Sequence, residues 1–174
     1  MTLKDLQIQL GYFFKDETLL ELALTHKSYS NSSNNERLEF LGDSILNSII
    51  SEYLFSRFAN QKEGLLTRMR AFLVKAETLT IKAEELSLEQ IIKLSKGTAN
   101  LSKDRKNSIL EGAFEAVIGA IFLDGGWSSS KEITLKAFSK NLEALSEDQW
   151  IFQIPSIFLK MEVTVGRSSF GVPL

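Results

Sequence analysis

Apolar side chains recur at three- and four-residue spacing along most of the chain. Leu19, Leu22 and Ala23 make one stripe, and Leu38, Leu41, Ile45 and Ile49 a second. Leu66, Met69 and Leu73 make a third, and Leu110, Phe114, Val117 and Ile121 a fourth. Such spacing places each set on one face of a helix. Polar stretches at 28–35, 60–64, 95–108 and 124–130 separate the stripes and read as connections. Alternation is scarce before residue 160, and both prolines, Pro155 and Pro173, lie near the end. Nothing before them breaks a helix outright. The expectation is an all-α bundle over residues 1–149. Residues 150–174 are richer in Trp, Phe, Ile and Val and alternate briefly at 161–165, which suggests a tail, arm or short strand.

Composition narrows the classes. A chain of 174 residues, 44% hydrophobic and 24% charged, can bury a core and does not have the make-up of a disordered segment. The absence of cysteine excludes disulfide frameworks, thiolate zinc sites and cysteine nucleophiles. The apolar run from Ala116 to Leu123 is far shorter than the ~20 residues a membrane span needs. Met1-Thr2-Leu3-Lys4-Asp5 has no signal-peptide pattern, so the expected location is cytoplasmic, without a membrane partner. Twenty basic against 22 acidic residues leave a net charge of −2. That balance speaks against holding nucleic acid by bulk positive charge.

The placement of the acids is more informative than their number. Along Asn34-Asn35-Glu36-Arg37-Leu38-Glu39-Phe40-Leu41-Gly42-Asp43, a helix brings Glu36, Glu39 and Asp43 within about 60° of one another, opposite the apolar stripe. Like charges at that spacing repel. One reading is a solvated face, with Ser33 and Glu36 forming a capping box. The other is a site for a hard cation such as Mg²⁺, which takes oxygen ligands. Phe40 lies on the acid side, either as a partner contact or as a lone exposed ring. In the segment around Glu115, the acid shares a face with Gly112, Ala116 and Gly119, small residues that allow another helix to approach closely. Plain helix packing explains such a face equally well. If the two helices cross with acids facing, Glu39, Asp43 and Glu115 share one cleft. His26, the single histidine, reads as structural, and Ser28 and Ser44 lack a nucleophile-elbow context. Lys96, Lys103, Arg105 and Lys106 fall in a polar stretch that is either a solvated loop or a phosphate contact.

The run Asn35-Glu36-Arg37-Leu38-Glu39-Phe40-Leu41-Gly42-Asp43-Ser44 resembles the signature motif of the ribonuclease III family. Three further segments resemble that family in the same order. They are Leu24-Thr25-His26-Lys27-Ser28-Tyr29, then Glu63-Gly64-Leu65-Leu66-Thr67-Arg68-Met69-Arg70-Ala71, and the run from Phe114 to Gly126. The resemblance covers residues 5–145. It implies an all-α, homodimeric endonuclease domain that hydrolyses double-stranded RNA with Mg²⁺, Mn²⁺ being a substitute. It further implies that Glu39, Asp43 and Glu115 hold the metal, with Asp43 and Glu115 catalytic. Glu36 and Glu63 would line the same cleft, and Phe40 would insert into the partner subunit.

Two departures qualify that expectation. Where the family carries an aspartate three residues before its glutamate, this chain has Gly112. Glu111 is then a candidate replacement ligand, and either weaker metal binding with retained cleavage or a non-cutting RNA-binding or scaffold role follows. Residues 150–174 are too few for the double-stranded-RNA-binding domain that bacterial members usually carry, so the natural protein is either a minimal form, truncated, or divergent at its end.

Overall fold

The structure is a computed structural model that describes residues 1–97 and 102–145; the expected tail at 150–174 lies outside them. Its elements are α1 (Leu3–Leu10), α2 (Glu17–Ala23), α3 (Glu36–Arg57), α4 (Glu63–Leu73), α5 (Ala76–Glu85), a 3₁₀ turn (Leu88–Gln90), α6 (Lys103–Ala137) and α7 (Ser139–Glu143). Residues Met1–Ser139 form one compact unit, and Lys140–Leu174 belong to a second. Among the described residues there is no strand, only an isolated parallel bridge between Thr25 and Lys93. No helix among them is long and apolar enough to cross a membrane.

The two long helices organise the first unit. From Gly112 to Ile121 every residue of α6 is buried, Glu115 included. A helix buried all round has no solvent face. The expected stripe of Leu110, Phe114, Val117 and Ile121 was therefore too narrow, because α2, α3 and α5 all pack on this segment. On α3 the buried line is Leu38, Gly42, Leu46, Ile49, Ile50 and Leu54, while Leu41 and Ile45 are only half-buried. The stripe is rotated from its expected position because it runs through Gly42, where α3 meets α6.

That meeting is backbone against backbone. A methyl group on Gly42 would overlap the carbonyl of Glu115 and stand 3.0 Å from the Gly119 nitrogen. One on Gly119 would overlap the Leu38 carbonyl oxygen. Both positions need glycine for close approach rather than for an unusual backbone angle. The small-residue face expected on α6 is thus a packing face, with Glu115 held inside it.

Local chemistry departs from expectation at three connections. No capping box forms at Ser33, because α3 starts only at Glu36. The Asn35 N–H is taken by the Thr25 carbonyl at 2.8 Å, and Asn34 Oδ1 receives the Glu36 N–H at 3.1 Å. The expected connection at 95–108 gives way to helix at Lys103. The one expected at 124–130 is helical apart from a break at Gly126, whose φ of 75° suits glycine. Just before the break, the Asp124 carboxylate accepts the Tyr12 hydroxyl at 2.6 Å and the N–H groups of Lys15 and Asp16 at 3.0 and 2.9 Å. It ties the segment ahead of α2 to α6. Burial and this carboxylate push the Tyr12 hydroxyl up to about 12.

Candidate functional site

Because Gly42 touches the Glu115 carbonyl, the acids flanking it on α3 arrive at α6 together. Glu39 lies three residues before the contact and Asp43 one after, so both border the buried stripe instead of lying opposite it. Glu39 is half-buried and Asp43 exposed. From α6, Glu115 is only 9% exposed. Its carboxylate has no hydrogen bond or ion pair with any described residue, yet it is not among the fully buried unpartnered groups, of which Thr134 Oγ1 is the one described, so its oxygens still reach the cleft. Burial first, then the charges of Asp43, Glu111 and Glu39, push its carboxyl up to about 8. Burial and then Glu36 raise that of Glu39, with Lys27 opposing. Glu111 is half-buried and likewise raised, by burial and then by Glu77 and Asp43.

Four carboxylates thus meet at the crossing: Glu39, Asp43, Glu111 and Glu115. Among the described basic groups, Lys27 is the one that acts on Glu39, and it is bound at 2.8 Å to Glu36. Glu36 shares with Glu39, His26 and Ser108 a small cleft of about 120 Å³. Among the described residues no three of the acid or histidine side chains converge on one point as a finished cage. Asp43 instead accepts the Asn47 amide at 2.7 Å. The donor set is nevertheless all oxygen and without a competing cation, which fits a hard divalent ion. The backbone of Gly112 adds a cradle. The place its Cβ would take lies 2.7 Å from Glu39 Oε2 and 2.8 Å from Glu39 Cδ, so the carboxylate rests where a side chain would otherwise stand.

The comparisons with known proteins identify the family and the fold. Residues 16–142 match the model of the ribonuclease-III-like family. The chain belongs to the ribonuclease III family. It is 47% identical over 146 residues to ribonuclease 3 of Pseudomonas fluorescens, an alignment covering 84% of this chain and 63% of that protein. The chain therefore spans less than two thirds of the length of that curated relative. The nuclease domain of ribonuclease III from Campylobacter jejuni superimposes with a TM-score of 0.78 at 43% identity, covering 83% of this chain and 99% of that one. A second structure of that domain, described for flexibility in the region involved in dimer formation, gives 0.77 at 45% identity, over 80% and 98% of the two chains. The resemblance read from the motifs, and the all-α fold it implied, are borne out.

Against that family frame, some expected site residues stand apart. Within this single chain Glu63 does not join the carboxylates at the crossing. It opens α4, accepts the Thr67 hydroxyl at 2.7 Å, and lines a groove of about 580 Å³ with Ser51, Phe55, Leu66 and Arg70. The turn after α3 places it beside Ser51, about 18 Å along the helix from Glu39. His26 has the structural role expected of it: its Nδ1 accepts the Ser28 N–H at 3.1 Å, and its own N–H is held by the Lys93 carbonyl. Burial and Lys27 lower its pKa. Lys103, Arg105 and Lys106 are exposed in the first turns of α6, the helix that carries Glu115, and Lys96 is exposed ahead of it. Basic residues at a helix N-terminus add to the positive end of the macrodipole and form an anion-attracting patch. Phe40 is 78% exposed, beside an open groove of about 900 Å³ lined by Leu19, Leu22, Leu41 and Leu123. Two contributors were not singled out from the sequence, Gly42 and Asp124. A glycine within a helical acid motif, and an acid next to a glycine pair, were the available signals.

Proposed function

We propose that the chain is the catalytic domain of a divalent-cation-dependent endoribonuclease that hydrolyses phosphodiester bonds of double-stranded RNA as a homodimer. The observation that carries this reading is Glu115, buried and without a protein partner among the described residues, beside Glu39 and Asp43 of α3 at the glycine crossing and one turn from Glu111 on its own helix. Glu39, Asp43 and Glu115, with Glu111 beside them, would hold Mg²⁺ or Mn²⁺. Such an ion supplies Lewis-acid activation of water and stabilisation of the leaving oxygen. Glu115, whose carboxyl is raised to about 8 chiefly by burial, would have to release its proton to serve as a ligand, which ties cation affinity to pH. The Gly42–Gly119 contact keeps the acids in register with the buried helix. Lys103, Arg105 and Lys106 are suited to phosphates rather than base edges, as shape-based recognition of an A-form duplex requires.

The test is to incubate the chain with a long RNA duplex in Mg²⁺, in Ca²⁺ and in chelator. Cleavage in Mg²⁺ alone supports the reading. Retained duplex binding without cleavage under all three conditions overturns catalysis and favours the scaffold alternative that Gly112 leaves open.

The dimer rests on Phe40 and the groove beside it. An aromatic ring on the far side of α3 from the core, 78% exposed, has no ring partner among the described residues. In a two-fold interface the same contact forms twice. Removing the ring, at ~1.5–3 kcal/mol per copy, should weaken association by roughly 10²–10⁴-fold. Phe40→Ser is therefore expected to sediment as a monomer with unchanged helix content at concentrations where the parent is a dimer. A variant that stays dimeric on dilution alongside the parent would place the interface elsewhere.

A further inference from the structure

We infer that Glu39 takes over the place of the missing residue-112 ligand, and that the bare backbone at Gly112 is what seats it there. This rests on the cation-site reading above and adds how this chain builds the site. The Glu39 carboxylate lies against α6 with Oε2 2.7 Å, Cδ 2.8 Å and Oε1 3.2 Å from the position a Cβ would hold. The first two are closer than real Cβ contacts come and the third is tight, so the two cannot coexist unchanged. The carboxyl carbon of an aspartate at 112 would fall within about 4 Å of the Glu39 one, given ordinary bond lengths. One carboxylate thus reaches from α3 to the region a second would have supplied from α6.

Glu111, the replacement expected from the sequence, is less well placed. It projects from α6 about 100° around from residue 112, and its side chain feels Glu77 and Asp43 most among its charged neighbours. Glu39 is in the cradle already, beside Glu115, the acid that is nine-tenths buried and has no other partner.

The consequence runs against ordinary helix chemistry. Alanine in place of glycine inside a helix normally stabilises by ~0.5–1 kcal/mol, and at 112 the nearest obstruction is the carboxylate end of the Glu39 side chain, not backbone. Gly112→Ala should therefore fold at least as well as the parent while holding a cation less well. The methyl must move the carboxylate by several tenths of an ångström, comparable with the ~0.5 Å tolerance of a preorganised site.

The experiment measures Mn²⁺ binding to the full chain by the electron paramagnetic resonance of free Mn²⁺, with thermal melting alongside. Gly112→Ala is expected to weaken binding about tenfold without lowering the melting temperature. Gly112→Asp, which restores a carboxylate, should bind at least as tightly as the parent. In a Glu39→Asp background the shortened side chain no longer reaches the cradle, and adding Gly112→Ala should change binding less than twofold. Undiminished binding by Gly112→Ala, or the same tenfold loss in both backgrounds, would overturn the inference. A parent chain that binds no Mn²⁺, or whose binding is indifferent to Glu115→Gln, would instead overturn the cation site itself.

Discussion

Gly42→Ala is expected to leave the chain without a stable native fold. The methyl would overlap the Glu115 carbonyl, a backbone group fixed in a helix buried on every side. No rotamer relieves that clash; only separation of α3 from α6 does, and this is the most extensive helix contact of the unit. Overpacking of ordinary cores costs ~1–3 kcal/mol, and a clash with an immovable backbone exceeds that range. Domains of this size have only ~5–15 kcal/mol to lose. The control is Gly64→Ala in α4, where nothing lies within 4 Å of the added carbon. Thermal melts by circular dichroism should show a cooperative transition for Gly64→Ala and none, or one lowered by more than ~10 °C, for Gly42→Ala. A Gly42→Ala protein melting within a few degrees of the parent would mean that the helices do not cross there.

Glu115→Gln should abolish Mg²⁺-dependent cleavage and at the same time stabilise the metal-free protein at alkaline pH. The second effect follows from proton linkage. The Glu115 carboxyl is raised from 4.5 to about 8 in the folded chain, so between those values the native state binds a proton that the unfolded state has released. Stability from this group is full below about pH 4.5, declines as pH rises, and is lost once pH passes about 8. Glutamine keeps the shape and cannot ionise. Allowing for solvent screening in an open cleft, the difference at pH 8.5 is about 2 kcal/mol, or roughly 4–8 °C in melting temperature. The parent should therefore lose melting temperature between pH 5.5 and 8.5 (both about these values) while the variant stays nearly level. Mn²⁺ should restore the parent and not the variant. Equal pH slopes for the two proteins would show that Glu115 is not the group under strain.

A site that becomes more stable when a key acid is neutralised is a site built for a counter-charge. The like-charged carboxylates are destabilising to the bare fold, and a bound cation would reverse the sign. On the proposed function, the net charge of −2 hides this distinction. It sums acids at a metal-type cleft together with solvated ones and says nothing of the basic patch at the start of α6.

Much of this was legible in one dimension. The apolar spacing marked α3 and α6 as helices, because a 3.6-residue period is a property of the backbone and needs no tertiary information. The spacing of Glu36, Glu39 and Asp43 put them on one side of α3 for the same reason, and Phe40 on the side away from the core. The order of the four motifs along the chain is enough to point to the ribonuclease III family, which the family match over residues 16–142 bears out. What spacing could not supply was the position of α6 relative to α3. The buried line on α3 runs through Gly42, and Leu41 and Ile45 were assigned to it because a glycine has no hydrophobicity to register. Only packing shows that a glycine is a contact.

Contacts between distant segments depend on which surfaces meet, and periodicity carries no information about that. The sequence by itself determined an all-helical chain with its acids on definite helix faces. The tertiary structure alone decided that Gly42 and Gly119 bring the backbones together, which buries Glu115 without a partner. It also sent Glu63 to a separate groove at the far end of α3, and it set Glu39 into the space that Gly112 leaves open.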